Sequence, residues 1–380
     1  RQCFSIGLFA LLVLSLPGCG GFRDTKPQLP GNLDTLCMPD YASGFEMYRY
    51  DSSTLLRIVN PWQGADSVSQ WVFLSRDDEK PPKGFAGETI DVPVRRIVCM
   101  SSSYVAFLEA LGADSTICAI SGTGYIWSDK VRNRIAGGEI AEAGFDNSLN
   151  FEKLVALKPD VVFLYGLTGK NAVTDKLHEL GLKTVYIGDY VENNPLGRAE
   201  WITVFGEFTG RRELARTLFD SISNEYNRAK ALVSGVEKRP EVMLNAPWQD
   251  SWFVPGDRSY MVRLLEDAGG NYACRGVDSD QSRPISTETA FVAASQSDFW
   301  LSPGTATSLA ELNAMNPRFG SIPPVRNGNV YNNNARTTPE GGSDLGVGFG
   351  YPDRTLKDLI HILHPELLPD RTLYYFRHLQ

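Results

Sequence analysis

The chain has 380 residues, enough for one large hydrophobic core or two medium ones. Its composition, 42% hydrophobic and 22% charged, is that of a globular protein and excludes global disorder. The formal net charge of −8 argues against a nucleic-acid partner, because nucleic-acid binding calls for a basic face.

The N-terminus has the features of a secretory signal. Arg1 precedes an apolar run, Phe4 to Leu16, that is too short to span a bilayer. The run ends in Leu16-Pro-Gly-Cys19, which resembles a bacterial lipobox with Cys19 as the lipidated first residue. We therefore expect a lipoprotein signal peptide over residues 1–19 and an extracytoplasmic, membrane-anchored lipoprotein. The alternative is a plain signal peptide that is cut elsewhere.

Two segments of different character follow the signal. Residues 20–40 are rich in Gly, Pro and Asp, which predicts a tether. Residues 41–92 contain strand-like runs separated by turn residues, which predicts a β-rich appendage. Its strands are expected at 45–50, 54–59 and 70–74. The expected role of this appendage is an extra sheet packed on the domain that follows.

The next region, residues 93–205, alternates between strand and helix patterns. Such alternation predicts a parallel sheet covered by helices. Cys99 and Cys118 lie in apolar strand-like runs and are expected in the core, although a disulfide remains open outside the cytoplasm. Strands are expected at 97–100, 116–120, 161–165 and 184–187, and helices at 103–111, 151–157 and 172–180.

A long helix is expected within residues 206–238. From Arg211 to about Val233, apolar residues recur every three or four positions, with no internal Gly or Pro. A second α/β lobe is expected over residues 239–380. Its predicted strands are 241–245, 298–301 and 330–332, and its predicted helices are 260–268, 287–294, 308–314 and 355–363.

One segment occurs in related form in both lobes. In the first copy the capping residue Asn150 precedes Glu152, and in the second Ser286 precedes Glu288. Each copy continues with helical apolar spacing, then an Asp, then a strand-like run, which predicts a helix that leads into a strand. Two lobes of similar construction suggest a ligand held in the crevice between them.

The first copy, LNFEKLVALKPDVVF over residues 149–163, resembles the signature of a known family. That family comprises the periplasmic binding proteins that serve ABC importers of ferric siderophores, haem and vitamin B12, and the resemblance runs from about Arg95 to the C-terminus. It implies an α/β fold of two Rossmann-like lobes joined by a single long α-helix, here with a small N-terminal β appendage. It also implies a partner, the permease dimer with its ATPase subunits. Glu152 and Glu288 would then contact arginines of this permease dimer.

Ligands of open α/β sheets bind beyond the carboxyl ends of the strands, and this rule selects the candidate site. The selected set is rich in aromatic residues, which suit a large flat or apolar ligand. Trp248 and Trp252 are foremost, because they lie in a polar loop with no evident core to enter, and Arg336 could pair with ligand carboxylates. The predicted ligand-binding residues are Ser102, Tyr104, Tyr125, Trp127, Tyr165, Tyr190, Trp248, Trp252 and Arg336.

Three classes of function compete. An α/β enzyme is disfavoured because no nucleophile elbow, P-loop or dinucleotide fingerprint is present. A bare-metal site is disfavoured because none of the four histidines, His178, His361, His364 and His378, ends a predicted sheet strand. We expect a non-enzymatic binding protein with no cofactor, whose cargo is a ferric siderophore or similar iron chelate. Vitamin B12 or haem is the alternative, with Tyr104 or Tyr125 able to coordinate haem iron.

Overall fold

The structure is a computed structural model that describes residues 34–145, 148–166, 172–248, 251–276, 278–345 and 350–380. The predicted signal peptide, Cys19 and most of the predicted tether lie outside these residues. No helix within the described ranges combines the length and the apolar content that a membrane span requires.

The chain first forms a five-stranded sheet, which we call the N-terminal sheet. Its strands follow chain order, antiparallel except for the last pair. The three predicted strands are confirmed. The tether prediction is wrong for residues 34–37, because these residues pair with the next strand, with Thr35 opposite Tyr48. The strands are β1 (Asp34–Cys37), β2 (Phe45–Tyr50), β3 (Ser53–Val59), β4 (Ser69–Ser75) and β5 (Glu88–Asp91).

The first lobe is a parallel sheet, as predicted, but it has five strands because β8 was not among the four expected. Its strand order is β10-β9-β6-β7-β8, so β10 and β8 are the edge strands. Cys99 and Cys118 are buried free thiols in neighbouring strands. The strands are β6 (Ile97–Cys99), β7 (Ile117–Ile120), β8 (Ala141–Glu142), β9 (Val161–Leu164) and β10 (Thr184–Tyr186). The helices are α1 (Ser102–Ala110), α2 (Asp129–Ala136), α3 (Phe151–Leu157) and α4 (Ala172–Glu179).

Three helices follow the first-lobe sheet in sequence: α5 (Pro195–Glu200), α6 (Ile202–Thr209) and α7 (Arg212–Leu232). The predicted long helix is confirmed as α7, which buries one face that includes Phe219, Ile222 and Tyr226. The C-terminal half of α7 contacts the second lobe, where the Lys357 ammonium lies 2.7 Å from a Glu225 carboxylate oxygen.

The second lobe repeats the parallel-sheet construction. Its strand order is β14-β11-β16-β17-β18, and only β18 is antiparallel. The strands are β11 (Glu241–Leu244), β14 (Asn271–Tyr272), β16 (Phe299–Leu301), β17 (Val330–Asn332) and β18 (Arg377–His378). The helices are α8 (Tyr260–Asp267), α9 (Thr287–Ser295), α10 (Leu309–Met315), α11 (Pro323–Arg326) and α12 (Pro352–Leu363).

A small antiparallel sheet, not predicted, lies beside the second lobe. It consists of β12 (Pro247–Trp248), β13 (Ser251–Val254) and β15 (Arg283–Ser286), in the order β12-β13-β15. Short 3-10 helices complete the described structure at Asp114–Thr116, Thr123–Tyr125, Asp189–Val191, Pro317–Ser321 and Pro365–Leu367.

The repeated segment forms the same unit in each lobe, as predicted. The Asn150 side-chain oxygen accepts from the Lys153 N–H at 3.0 Å, and the Ser286 hydroxyl accepts from the Thr289 N–H at 3.1 Å. These bonds cap α3 and α9 and satisfy backbone donors in the first turn. The Asp in each copy has a matching role too, because Asp160 accepts from the Arg95 N–H and Asp298 from the Glu241 N–H.

Candidate functional site

The two lobes face each other across the carboxyl ends of their parallel strands. The loop after β7 in the first lobe meets the segment after β17 in the second. A Cβ on Gly342 would lie 2.7 Å from the Tyr125 carbonyl oxygen, so glycine permits this close approach. The Arg336 guanidinium carbon lies 5.1 Å from the centre of the Trp127 ring. The crevice between these edges is the candidate site.

Tyr125 presents an exposed aromatic face at the first-lobe edge. The side chains of Tyr125 and Phe145 are 52% and 53% exposed, and their ring centres lie 6.4 Å apart in an edge-to-face arrangement. Exposed aromatic pairs of this kind suit an apolar or flat ligand. Sequence reasoning missed Phe145, because β8 has only two residues and gives no strand pattern to place its carboxyl end.

Glu142 fixes the loop that carries Tyr125. Its carboxylate accepts hydrogen bonds from the N–H groups of Gly122, Thr123 and Gly144 and from the Thr123 hydroxyl, at 2.7–2.9 Å. Partial burial acts to raise the pKa of Glu142, but these hydrogen bonds outweigh it and hold the pKa below its usual value. The ionised carboxylate therefore orders this edge of the crevice.

Arg336 is already paired within the protein. Its Nε donates to a carboxylate oxygen of Asp344, and its guanidinium packs over the rings of Trp127 and Tyr374. Trp127 is thus an inter-lobe contact as well as a predicted ligand contact. For Arg336 to pair with a ligand carboxylate, the ligand must share or displace Asp344.

Tyr165 and Tyr190 lie together at the β9–β10 end of the same edge. Their ring centres are 4.3 Å apart, and the Tyr190 hydroxyl donates to the Gly166 carbonyl at 3.0 Å. Burial, with the neighbouring Tyr190 and Asp189, raises the pKa of Tyr165 to about 12. The Tyr165 phenol is therefore protonated at neutral pH and offers a ring and a hydroxyl donor. The pairing of β9 with β10 thus brings both tyrosines into one cluster.

Two predicted ligand residues are wrong, because the structure buries them. Tyr104 points inward from α1, and its hydroxyl lies 3.1 Å from the carbonyl oxygens of Leu164 and Ile187. Trp252 lies on the inner face of β13, packs 5.4 Å from the Trp300 ring and donates its indole N–H to the Leu244 carbonyl at 3.0 Å. Neither side chain can touch a ligand in this arrangement, and Tyr104 is also removed as a haem ligand.

Trp248 has the opposite environment. Its side chain is 66% exposed, and its nearest aromatic neighbour is Phe253, with ring centres 6.5 Å apart. Both lie on the small sheet that follows β11, on the carboxyl side of the second lobe. Phe253 was missed because a single sequence does not show that β13 turns alternate residues outward. Trp248 remains a predicted ligand contact, and Phe253 lies beside it.

Ser102 is the first residue of α1, directly after the Ser101 cap, and is half-buried. Glu152 and Glu288 are exposed first-turn residues of α3 and α9. A Glu288 carboxylate oxygen lies 3.0 Å from an Arg318 guanidinium nitrogen, whereas Glu152 makes no ion pair with any residue that the structure describes. The two acids are equivalent in position but differ in their partners.

The four histidines lie outside the crevice loops named above. His178 contacts Thr184 on β10, and His361, His364 and His378 contact carbonyl oxygens of the second lobe. Within the described ranges, no group of three or more His, Cys, Asp or Glu residues is placed to hold a metal ion. The crevice as described offers aromatic faces and hydrogen-bond donors.

A family profile described as "Periplasmic binding protein" matches residues 97–337. The chain belongs to this family. The match spans the first lobe, α7 and the second lobe as far as residue 337, and it begins after the N-terminal sheet.

A relative matches nearly the whole chain, and several solved structures share its fold. An uncharacterized lipoprotein of Methanocaldococcus jannaschii is 27% identical, over 99% of this chain and 96% of its own length. A possible iron-binding periplasmic solute-binding protein from Staphylococcus epidermidis matches with a TM-score of 0.55 and 20% identity, over 72% of this chain and 99% of that one. A periplasmic heme binding protein from Pseudomonas aeruginosa matches with a TM-score of 0.54 and 20% identity, over 72% and 93%. At this identity the structural matches show the shared two-lobed fold.

Proposed function

We propose that this protein is the substrate-binding component of an ABC importer and that it captures a ferric siderophore or a similar iron chelate between its lobes. The observation that carries the proposal is the exposed aromatic pair on each lobe, Tyr125 with Phe145 and Trp248 with Phe253. Aromatic faces with few polar groups hold bulky chelates through their organic periphery.

Haem is the second candidate, and one observation favours it. Tyr125 presents an exposed phenol beside the Phe145 ring, and a phenolate is a known type of haem-iron ligand. The solved structures similar in fold include proteins described as haem-binding. Vitamin B12 has no comparable support from the described residues.

Isothermal titration of the purified full chain in detergent distinguishes these candidates. The titrants are a ferric hydroxamate, a ferric catecholate, haemin and cyanocobalamin, and the iron-free chelators are the matched controls. We expect saturable one-to-one binding of a ferric chelate, with weaker binding of its iron-free form. Saturable binding of haemin alone would replace the first candidate with the second. Binding of none of the four, or chemical conversion of the ligand, would refute the proposal.

The proposal includes delivery to a membrane complex. We infer that Glu152 and Glu288 dock onto a permease dimer and that a lipid on Cys19 keeps the protein beside it. Two equivalent acids on two similar lobes suit a partner with twofold symmetry. Both carboxylates are exposed, which this role requires.

A further inference from the structure

The N-terminal sheet is fixed to the edge strand of the first lobe. The Gln70 side chain donates to the Thr184 carbonyl and accepts from the Tyr186 N–H, each at 2.9 Å. These bonds cover β10, whose outer side would otherwise present unpaired backbone groups. A second attachment lies at Glu200, which accepts from the N–H groups of residues 40–42 at 2.8–2.9 Å. The sheet therefore keeps one position relative to the crevice.

One loop of this sheet crosses onto the carboxyl edge of the first lobe. It joins β3 to β4 over residues 60–68, and it is closed by the Asn60 side chain, which accepts from the Val68 N–H at 2.9 Å. Pro61 lies against Gly188, where a Cβ would be 3.2 Å from the Pro61 Cα. The Trp62 ring packs edge-to-face on Tyr186, with centres 5.2 Å apart. The loop thus reaches the carboxyl end of β10.

The same loop contacts the tyrosine pair of the candidate site. The Gln63 N–H donates to the Tyr190 hydroxyl at 3.3 Å. That hydroxyl in turn donates to Gly166, and a Cβ on Gly166 would lie 3.2 Å from the Trp62 ring. Trp62, Gln63, Tyr165 and Tyr190 therefore form one continuous surface, which we call the outer wall.

The segment that carries Tyr190 is linked to the second lobe through Arg198. Asp189, next to Tyr190, lies 3.5 Å from the Arg198 guanidinium, and Arg198 packs over the ring of Tyr260 in the second lobe, 5.6 Å from its centre. Trp62, Tyr165 and Tyr190 are half-buried and Gln63 is exposed. Each of these side chains therefore keeps some surface that is open to contact by a ligand.

We infer that the 60–68 loop is part of the ligand site and selects ligands by their organic periphery. This inference rests on the proposed function. The Trp62 ring and the two tyrosines would contact aromatic or apolar groups of the chelate, and the Gln63 amide would hydrogen-bond its polar groups. Because the family match begins at residue 97, Trp62 and Gln63 lie outside it, and the 60–68 loop is an addition to the crevice that the family shares.

Two variants of the full chain test the inference, with the ferric chelate or haemin that binds the unmutated chain as probe. Trp62→Ala removes the ring, and Gln63→Arg places a cation on an exposed position without disturbing the Gln63 N–H. Trp71→Ala is the matched control, because Trp71 lies on β4 of the same sheet but packs against Tyr48 and Arg57 on its other face.

We expect Trp62→Ala to weaken binding about tenfold, the loss of one aromatic contact. Gln63→Arg should change the relative affinities of anionic and neutral chelates with an unchanged melting temperature. Trp71→Ala should lower the melting temperature and leave affinity unchanged. If the unmutated chain binds and both loop variants keep its affinity and selectivity, the 60–68 loop is not part of the ligand site. The proposed function would not be affected by that result. Failure of the unmutated chain to bind any probe would overturn both.

Discussion

Trp248 and Trp252 lie four residues apart and occupy opposite environments. Trp248 is 66% exposed beside Phe253, whereas Trp252 is fully buried against Trp300 and Phe319. Within this one hairpin, Trp248 is the candidate ligand contact and Trp252 is part of the core. Replacing each by alanine therefore tests the site and the fold independently.

Trp248→Ala should weaken ligand binding by about 1–3 kcal/mol and leave the free energy of unfolding nearly unchanged. Trp252→Ala should instead cost about 3–5 kcal/mol of unfolding free energy, because it opens a cavity in the core. Titration calorimetry and urea unfolding measure the two effects. Normal affinity in Trp248→Ala would remove Trp248 from the site.

Residue types at the site could be read from the sequence, but their burial could not. Both tryptophans lie in a stretch that reads as a polar loop, and only the pairing of β13 with β15, some 30 residues later, turns Trp252 inward. Tyr104 is a similar case, because the direction of its side chain depends on how α1 packs on β9. Its hydroxyl lies near the carbonyl oxygens of Leu164 and Ile187, which are distant in sequence. Long-range contacts set these environments.

At the scale of elements, the loop that carries Tyr125 depends on Glu142. Glu142→Ala should lower stability by about 1–2 kcal/mol and weaken ligand binding, because three backbone N–H groups lose their acceptor. Glu142→Gln is the matched control, which keeps one acceptor oxygen but no charge.

The stabilisation by Glu142 should also depend on pH. Its folded-state pKa lies below the usual value of 4.5, so the contribution is complete above pH 4.5 and is lost as the pH falls through the folded-state pKa. Thermal unfolding of the unmutated chain and of Glu142→Gln should therefore differ at pH 6 and converge in acid. A difference that stays constant down to acid pH would show that the charge is not involved.

Elements with strong periodicity were predictable and short ones were not. The helix α7 and the strands β2, β3 and β4 were predicted within about one or two residues, because their apolar patterns run over several turns or pleats. The two-residue strands β8 and β12 and the polar helix α2 carry too few apolar positions to form a pattern. These missed elements carry or flank the crevice loops.

At the scale of the whole molecule, Glu152 and Glu288 test docking to a permease. The double variant Glu152→Ala with Glu288→Ala should bind ligand normally and fail to support uptake or to stimulate the transporter ATPase. Reversal of both to Arg should be worse, because like charges would meet at the interface.

The matched control for docking is Asp129→Ala with Glu311→Ala. These acids also occupy first helical turns, one on each lobe, so this variant too loses two favourable helix-end charges. Glu311 additionally accepts from the Thr307 N–H at 2.7 Å, so the control disturbs its helix end at least as much. Uptake should be normal in this control. Normal uptake by the Glu152 and Glu288 double variant would show that these acids do not dock. Their role would then be only to complement the dipoles of their own helices.

Membrane attachment is a separate prediction at the scale of the whole molecule. Cys19→Ala should release the protein into the soluble fraction, because a lipid on Cys19 is the proposed anchor. Fractionation with an immunoblot measures the distribution. Membrane association that persists in this variant would require another means of attachment.

The central claim is that one ligand is held by both lobes, and hydrogen–deuterium exchange tests it most directly. The measurement compares the full chain with and without the chelate or haem that binds in titration. We predict slower exchange in residues 121–127 and 336–344, which meet across the crevice, and in residues 60–68 and 251–254. Protection confined to one lobe, or protection only outside these segments, would contradict a ligand bound between the lobes.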